Sequence, residues 1–306
     1  VFIVTSAELV DATINGAPQL PPENVIGEPV GRDTAAAVAL GAALVKSRNP
    51  NAAFCVVTAD HLIGDLDIFR ATLSESMELA LAQDVLITMG ISPSYAATGF
   101  GYIDSGQAIP HKGGVSFFSV NGFVEKPDLK TAEAYVAAGH FYWNSGMFVW
   151  SVSAILKAMA KYHAPAAHMA ESMLPVIGTP AFEATLAAQY ASLEKISIDY
   201  AIMEKAQNII MAKGSFQWSD VGSWPALEGH FPADSDQNVI LGQCQQIDAK
   251  RNIIVSQERL TALIGVEDLV VVQAPGATLV CAKDRAQDVK AIVKALQDKG
   301  DRGDLL

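Results

Sequence analysis

The sequence predicts an α/β fold in which a parallel sheet is covered by helices and a smaller all-β unit follows. Three apolar strand segments alternate with two helical segments as far as residue 91. This β-α-β-α-β order is typical of parallel sheets with helices on both faces. From about Asn238, short Val- and Ile-rich segments are separated by Gly, Asp and Asn, which indicates regular short strands. We therefore place a larger domain at 1–234 and a smaller domain at 235–306.

Each element follows from its local pattern. The first Ala-rich helix ends at Asn49, because Pro50 cannot continue it. In chain order, the first strands and helices are VFIVTS, AAAVALGAALVKS, FCVVTADH, DIFRATLSESMELALAQ and DVLITMGI. A mixed region follows, with strands TGFGYIDSG, GGVSFFSVNGFVEKP, FYWNSGMFVWS and NIIMAKGSFQW and helices TAEAYVAAG, 153–189, IDYAIMEKA and WPALEGHF. The amphipathic helix DRAQDVKAIVKALQDKG closes the β-rich unit.

The composition excludes several classes of partner. Half of the 306 residues are hydrophobic and 18% are charged, which is enough for a substantial core. The formal net charge of −12 argues against nucleic acid as a partner, because no basic face is available. No apolar run reaches the roughly 18–20 residues that span a bilayer, so no membrane partner is expected. Three scattered cysteines, Cys55, Cys244 and Cys281, favour a reduced, cytoplasmic setting.

Two acids stand where strand segments end. FCVVTADH stops at Asp60 and His61, and Asp220 has a similar setting in NIIMAKGSFQWSDVGSW. α/β proteins collect ligands at the carboxyl edge of the sheet, where two carboxylates can hold a hard divalent cation against phosphate oxygens. For either acid alone, a helix cap or a turn is the better explanation. We expect His61 to fix the Asp60 loop rather than to act as a base.

The segment EPVGRDT directly precedes the Ala-rich helix. Gly31 permits close approach to the backbone, and Thr34 can cap the helix, whose N-terminus favours anions. Arg32 could make a forked contact to a phosphate, a ribose or a base. A loop with a good cap explains the same residues equally well.

Three further segments carry polar groups at strand ends or inside apolar strands. Gly101 in TGFGY would let a ligand lie against the backbone, although a bulge is the commoner reason for a strand glycine. In FVEKP, Glu125 could accept two sugar hydroxyls and Lys126 could neutralise a phosphate, if Pro127 bends the chain enough to bring them to one side. Taken alone, the segment is better explained as an exposed turn. Asn144 is an amide inside an aromatic strand, so it needs partners. A sugar hydroxyl or a neighbouring backbone group would serve.

One short helical segment, SIDYAIMEKA, adds weaker candidates. Ser197 or Asp199 could cap this helix, and Lys205 is a candidate for a phosphate contact. No catalytic triad signal is visible, since the serines include no Gly-x-Ser-x-Gly elbow.

Taken in order, these segments resemble the bacterial mannose-1-phosphate guanylyltransferases (GDP-mannose pyrophosphorylases) in their monofunctional form. The resemblance runs from about Val1 to the C-terminus and rests on EPVGRDTAAA, VTADH, TGFGYI, FVEKPDLKTAEAYVAAGHFYWNSGMF, SIDYAIMEKA and WSDVGSW. It implies a Rossmann-like nucleotidyltransferase domain with a mixed, mostly parallel sheet, and a short left-handed β-helix at the end. It also implies that GTP and α-D-mannose 1-phosphate give GDP-mannose and pyrophosphate, with Mg²⁺, by in-line attack on the α-phosphorus.

The resemblance also assigns roles to residues. Binding of mannose is implied for the Gly101 backbone, Glu125 and Asn144. Contact with its phosphate is implied for Lys126, and a place near the nucleotide for Gly31 and Arg32. The Mg²⁺ ligands would be Asp60 and Asp220, which together with Lys126 would supply catalysis by charge neutralisation. A homodimer, plausible through the β-rich tail, is the family expectation.

The chain departs from the family pattern in three places. The family usually has Asn at the position of Asp33 and Pro at the position of Ala36. A Gly-rich loop carrying Arg, followed by a Pro-Lys segment, usually comes first, whereas VFIVTS matches a later strand. We expect the natural chain to continue upstream of Val1 with this unit, because an apolar sheet edge is exposed without it.

Two alternative functions stay open from the sequence. The first is a related sugar-1-phosphate nucleotidyltransferase that uses another sugar or base, since base selection is expected to depend partly on the Gly-rich segment. The second is a non-catalytic regulatory subunit that binds a sugar nucleotide, which the missing loop and Asp33 would favour. The presence of both Asp60 and Asp220 argues for the enzyme, because a regulatory subunit need not keep them.

Overall fold

The computed structural model describes residues 1–299, except for the side chain of Gln257. The final part of the predicted domain 235–306, residues 300–306, lies outside the described residues. The chain forms two compact units, one built from residues 1–59 and 63–217 and the other from residues 60–62 and from 218 onward. Among the described residues, no helix is both long and apolar enough to cross a membrane.

The larger unit contains most of the helices and strands. Its strands, with β4 at the boundary between the units, are β1 (Ile3–Ser6), β2 (Val25–Glu28), β3 (Ala53–Val56), β4 (Leu62–Ile63), β5 (Leu86–Ile91), β6 (Tyr102–Ile109), β7 (Phe117–Val124), β8 (Phe141–Ser151) and β9 (Ile209–Gly214). Its helices are α1 (Val10–Gly16), α2 (Thr34–Arg48), α3 (Leu66–Ala82), α4 (Leu129–Ala138), α5 (Val152–Tyr162), α6 (Ala164–Met173) and α7 (Phe182–Ser192). Short 3₁₀ turns cover Ala7–Leu9 and Pro22–Asn24, and a π-helical turn covers Asp199–Met203.

The central sheet has six strands in the order β3-β8-β5-β9-β7-β6, and β1 and β2 form a separate parallel pair. The predicted mixed sheet is confirmed, but antiparallel pairings outnumber parallel ones. Only β5–β9 is parallel between neighbours in this order, because β8 runs antiparallel between β3 and β5. The predicted strand FCVVTADH is also shorter than expected, since β3 ends at Val56 and Asp60 lies in a turn.

Strand β8 lies inside the sheet of this unit and carries Asn144. Its second half pairs with β3, and β5 pairs along both halves. Its first half also pairs with β6, where Trp143 faces Tyr102. The main core lies beside it, where α2 buries an Ala- and Leu-rich surface together with Trp150 and Tyr190, which are fully buried. A helix with so many alanines can approach its neighbours closely, because its side chains are short.

The smaller unit is a stack of short strands. Its elements are β10 (Trp218–Ser219), β11 (Val239–Ile247), β12 (Ile253–Ile264), β13 (Leu269–Ala274), β14 (Ala277–Ala282), α8 (Val289–Lys299), and 3₁₀ turns at Trp224–Gly229 and Lys283–Asp288. Strands β11, β12 and β13 pair in parallel, and β14 returns antiparallel to β13. This stacking agrees with the predicted β-helix-like domain, whereas its left hand stays a prediction.

Two buried asparagines link successive strands of the stack. The Oδ1 atom of Asn238 accepts hydrogen bonds from the backbone N and the Nδ2 of Asn252, at 2.9 and 3.0 Å. The Oδ1 of Asn252 in turn accepts from the backbone N of Leu269 at 2.9 Å. Both asparagines are almost completely buried, and these bonds satisfy polar groups that would otherwise be costly.

The units divide at Gln217, before the boundary that the sequence places at 234/235. The reason lies in the segment between them, where Trp224 and Leu227 pack on the core of the stacked strands, against Val239 and Ile253. The predicted boundary itself stays a prediction. All three cysteines lie within the described residues, and none forms a disulfide.

Candidate active site

The Glu125 carboxylate lies directly against the backbone of Gly101. A Cβ atom built on Gly101 would stand 2.5 Å from Oε2 of Glu125, far inside van der Waals contact. The loop that ends at Gly101 is held by Tyr102, whose buried hydroxyl bonds to both the N and the O of Ala97, at 3.0 Å each. A side chain at Gly101 would therefore displace the Glu125 carboxylate from its present place.

Lys126 turns the chain at the end of β7. Its φ of 43° lies in the left-handed region, which is uncommon for a residue with a side chain. Because of this turn, Glu125 and Lys126 do not point to opposite sides, and Nζ of Lys126 stands 2.9 Å from Oε1 of Glu125. The hydrogen bond to Glu125 and its charge raise the pKa of Lys126, so the ammonium stays charged. The bend that the sequence required at Pro127 thus occurs one residue earlier.

Asn144 joins three parts of this unit through its amide. Its Nδ2 donates to Oδ1 of Asp199 at 2.7 Å, and its Oδ1 accepts from Oγ1 of Thr88 at 3.2 Å and from the N of Gly146 at 3.3 Å. Its backbone N donates to the O of Gly101 at 2.8 Å. The amide orientation is thereby fixed, with oxygen toward Thr88 and nitrogen toward Asp199.

Asp199 belongs to this site, although the sequence suggested only a helix cap for it. It begins the π-helical turn, in which the N of Glu204 donates to the O of Asp199 at 2.9 Å. Such turns often occur at functional sites. Burial raises the pKa of Asp199, as do the charges of Glu125 and Asp33, and the bond from Asn144 only partly opposes them.

The acidic character continues to the end of the same turn. Burial, Asp199 and Glu125 together raise the pKa of Glu204, and the charge of Lys205 opposes that shift. Lys126 is the cation that faces Glu125 and Asp199. The phosphate contact suggested for Lys205 stays a prediction.

The helix cap of α2 is Asp33, and the prediction that Thr34 caps it is wrong. Oδ1 of Asp33 accepts from the N of Thr34 at 2.7 Å, while Oγ1 of Thr34, the first helical residue, accepts from the N of Ile198 at 2.8 Å. Asp33 has φ 64° and ψ −175°, a conformation that is almost restricted to glycine. Asp33 thus holds a strained backbone conformation. The bond between Thr34 and Ile198 connects the end of the EPVGRDT loop to the residue before Asp199.

Arg32 has a structural use in the same loop. Its Nε and Nη2 donate to the backbone O atoms of Tyr190 and Ala191 at 2.9 and 3.2 Å, at the C-terminal end of α7. A guanidinium there satisfies carbonyls that the helix leaves unpaired. The space around Gly31 is open, since a Cβ built there would meet nothing within 4 Å. Nucleotide contacts of Gly31 and Arg32 stay predictions.

The two predicted metal ligands, Asp60 and Asp220, belong to the smaller unit and act on one histidine. Burial lowers the pKa of His61, and the charges of Asp60 and Asp220 oppose that shift. Nε1 of Trp218 donates to Nδ1 of His61 at 3.1 Å, with the two rings edge to face. Nδ1 is the acceptor in this bond, and the lowered pKa favours the neutral imidazole. The expectation that His61 fixes the Asp60 loop stays a prediction.

The carboxylates of Asp60 and Asp220 are the right kind of donor for Mg²⁺, which prefers oxygen ligands and binds through one or two carboxylates together with substrate phosphates. Oδ1 of Asp220 accepts from the N of Gly222 at 3.1 Å, which fixes its direction. Within residues 1–299 there is no group of three or more His, Cys, Asp or Glu side chains that could hold a metal without a substrate.

The comparisons with known proteins identify the class to which this α/β protein belongs. Residues 4–237 match the nucleotidyl transferase family, and residues 234–296 match the family described as MannoseP isomerase/GMP-like beta-helix domain. The chain therefore belongs to the nucleotidyl transferase family.

Its relatives share a more specific description. The chain is 36% identical over 281 residues to the mannose-1-phosphate guanylyltransferase of Escherichia coli K12. This match covers 91% of this chain and 59% of the relative. It is 40% identical over 285 residues to the mannose-1-phosphate guanylyltransferase RfbM of Salmonella typhimurium, covering 92% of this chain and 58% of the relative. The chain thus spans less than two thirds of the length of these curated relatives.

A solved structure of similar size is also close to this fold. The Thermus thermophilus protein described as a mannose-1-phosphate geranyltransferase superposes with a TM-score of 0.78 at 32% identity. The match covers 94% of this chain and 89% of that one. The likeness therefore includes both of the compact units.

Proposed function

We propose that this chain transfers a guanylyl group from GTP to α-D-mannose 1-phosphate, giving GDP-mannose and pyrophosphate. A phosphate oxygen of the sugar phosphate attacks the α-phosphorus of GTP, and the bond from that phosphorus to the β-phosphate oxygen breaks. The attacking oxygen already carries negative charge, so no base has to remove a proton. This is consistent with a neutral His61 and with the lack of a catalytic triad signal in the sequence.

The observation that carries the proposal is the arrangement of Gly101, Glu125, Lys126 and Asn144. A carboxylate that lies against a backbone without a side chain presents two acceptor oxygens beside it, which suits the adjacent hydroxyls of a sugar. The ammonium of Lys126, next to that carboxylate, suits the phosphate of a sugar 1-phosphate. The names of the relatives favour mannose as the sugar and guanosine as the nucleoside.

Lys126 would change partners when the substrate binds. In the free site its ammonium neutralises Glu125 at 2.9 Å. A bound sugar phosphate would offer hydroxyl donors to Glu125 and phosphate oxygens to Lys126. The ion pair between the two side chains would then be replaced by contacts of each with the ligand. The catalytic contribution of Lys126 is charge neutralisation during phosphoryl-group transfer.

Asp60 and Asp220 would hold Mg²⁺, since both are oxygen donors and Asp220 is oriented by its bond to Gly222. When bound, the ion would neutralise charge on the triphosphate and align it for in-line displacement. The nucleotide itself would lie near Gly31 and Arg32, with the anion-favouring start of α2 close by in sequence. A homodimer and a cytoplasmic location complete the proposal.

The test is product formation by the full-length protein. We expect GDP-mannose and pyrophosphate from GTP, mannose 1-phosphate and Mg²⁺, measured by anion-exchange chromatography and ³¹P NMR. A panel of ATP, UTP and dTTP with glucose 1-phosphate and N-acetylglucosamine 1-phosphate tests the alternative sugar or base. Binding of GDP-mannose without turnover by folded protein would instead establish the regulatory subunit.

A further inference from the structure

We propose that Asp199 is a positioning residue for the sugar phosphate, which acts by holding the amide of Asn144 in its binding orientation. This inference deepens the proposed function and rests on it. The contact from Nδ2 of Asn144 to Oδ1 of Asp199 is 2.7 Å, shorter than any other hydrogen bond that Asn144 makes among the described residues. A bond from an amide to an ionised carboxylate is about twice as strong as one between neutral groups.

The orientation matters because an amide has two different ends. Oδ1 of Asn144 is occupied by Thr88 and Gly146, and one N–H of Nδ2 is directed to Asp199. The amide therefore cannot rotate by half a turn without losing all three bonds. Its second N–H is fixed in direction as a result, and a fixed donor selects for an acceptor oxygen on the ligand.

The network reaches both other parts of the sugar site. The backbone N of Asn144 donates to the O of Gly101, the residue against which Glu125 lies. The charge of Asp199 contributes to raising the pKa of Lys126, after the hydrogen bond and charge of Glu125 and alongside Tyr200. Asp199 is thus connected to the proposed sugar contacts and to the phosphate contact at once.

An acid at position 199 has an energetic cost in the folded protein. Burial and neighbouring acids raise the pKa of Asp199, so its ionised form costs the folded state free energy at neutral pH. The charged groups around it are Glu125 and Lys126 after β7, Asp33 before α2, and Glu204 at the end of its own turn. Residues whose ionisation is unfavourable and which lie in irregular turns are typical of functional sites.

The experiment compares Asp199→Ala with Asp199→Asn in the full-length protein. The alanine variant removes the acceptor for Nδ2, whereas the asparagine variant can still accept through its own Oδ1. We expect Asp199→Ala to raise KM for mannose 1-phosphate at least about tenfold while KM for GTP stays within about twofold. Asp199→Asn should restore most of the loss. Calorimetric binding of mannose 1-phosphate should follow the same order.

Two further variants distinguish the orientation of the Asn144 amide from a loss of folding and from the loss of a nearby negative charge. Glu204→Gln removes an acid at the other end of the same turn, has no side-chain bond to Asn144 among the described residues, and should leave KM for the sugar phosphate unchanged. Thr88→Val removes the bond on the other side of the amide and should raise KM in the same way as Asp199→Ala, which covers the case in which the alanine variant does not fold. Wild-type KM values in Asp199→Ala or in Thr88→Val overturn the inference alone. A folded wild type that neither binds nor converts mannose 1-phosphate overturns the proposed function, and this inference with it.

Discussion

The carboxylate of Glu125 occupies the space that a side chain at Gly101 would need. A methyl group placed on Gly101 would stand 2.5 Å from Oε2 of Glu125, and Asn144 lies behind it at 3.6 Å. The side-chain end of a glutamate can move, but it would then leave the place where it faces the exposed backbone. The contact therefore links a loop glycine to the geometry of a carboxylate that follows another strand.

Gly101→Ala should displace Glu125 and weaken the site without unfolding the protein. We expect KM for mannose 1-phosphate to rise about tenfold to a hundredfold, which corresponds to a loss of about 1.4 to 2.8 kcal/mol. Steady-state kinetics with saturating GTP measure this change. Gly122→Ala in β7 is the matched control, since its Cβ would meet nothing within 4 Å and its kinetics should equal those of the wild type.

Lys126→Met should remove the cation while keeping the length of the side chain. The expected loss in kcat/KM is about a hundredfold, because a phosphate would meet Glu125 and Asp199 with less compensation. The loss should be smaller for Lys205→Met, whose cation acts on Glu204. Equal effects of the two substitutions would mean that Lys126 acts only through the overall electrostatic potential of the site and not by contact with the phosphate.

Asp220→Asn should abolish metal-dependent turnover and leave the fold intact. The amide oxygen of asparagine can still accept from the N of Gly222, so the local turn is preserved. Binding of Mn²⁺ in the presence of nucleotide, followed by electron paramagnetic resonance, should weaken by at least about tenfold. Asp60→Asn should behave in the same way, whereas Asp67→Asn, an exposed acid paired with Arg70, should not.

Stability should rise relative to the wild type in Asp199→Asn, in a pH-dependent manner. The folded state raises the pKa of Asp199, so between its unfolded and folded values the folded protein binds more protons than the unfolded chain. Wild-type stability contributed by this group is therefore lost as pH rises through that window. We expect the difference in Tm between Asp199→Asn and the wild type to grow from about pH 4, the ordinary pKa of an aspartate, and to level off above the folded pKa. A difference in Tm that does not depend on pH would contradict the burial of an ionised Asp199.

The sequence was sufficient for those features that depend on local pattern or motif. The alternation of helices and strands, the existence of a small β-rich unit and the residues at the strand ends, such as Glu125, follow from periodicity and turn chemistry. The β-helix-like form of that unit was implied by the family resemblance. The insertion of β8 between β3 and β5 was not predictable in this way, because strand order depends on contacts between residues that are far apart in sequence. The same limit made the sheet look more parallel than it is.

The missed site features have a common cause. The sequence suggested only a helix cap for Asp199 and did not identify Asp33 as a cap. A local pattern cannot show which distant backbone group or side-chain amide a side chain will meet. Asp199 meets Asn144, which is 55 residues away in the chain. The hydroxyl of Thr34 meets the backbone of Ile198, 164 residues away. The one sequence signal for Asp199 was its place in SIDYAIMEKA, a short predicted helix without a strong amphipathic pattern.

The asparagine bonds of the smaller unit have a consequence for how such a domain can change in length. Asn238 accepts hydrogen bonds from Asn252 in the next layer, and Asn252 accepts one from Leu269 in the layer after it. The polar groups of each layer therefore depend on the layer before it. Deleting a few residues within a layer would leave a buried amide facing an empty position. Removing or adding one whole layer would keep every amide matched to a neighbour. Variation in the length of this domain should therefore come in units of complete turns of the stack.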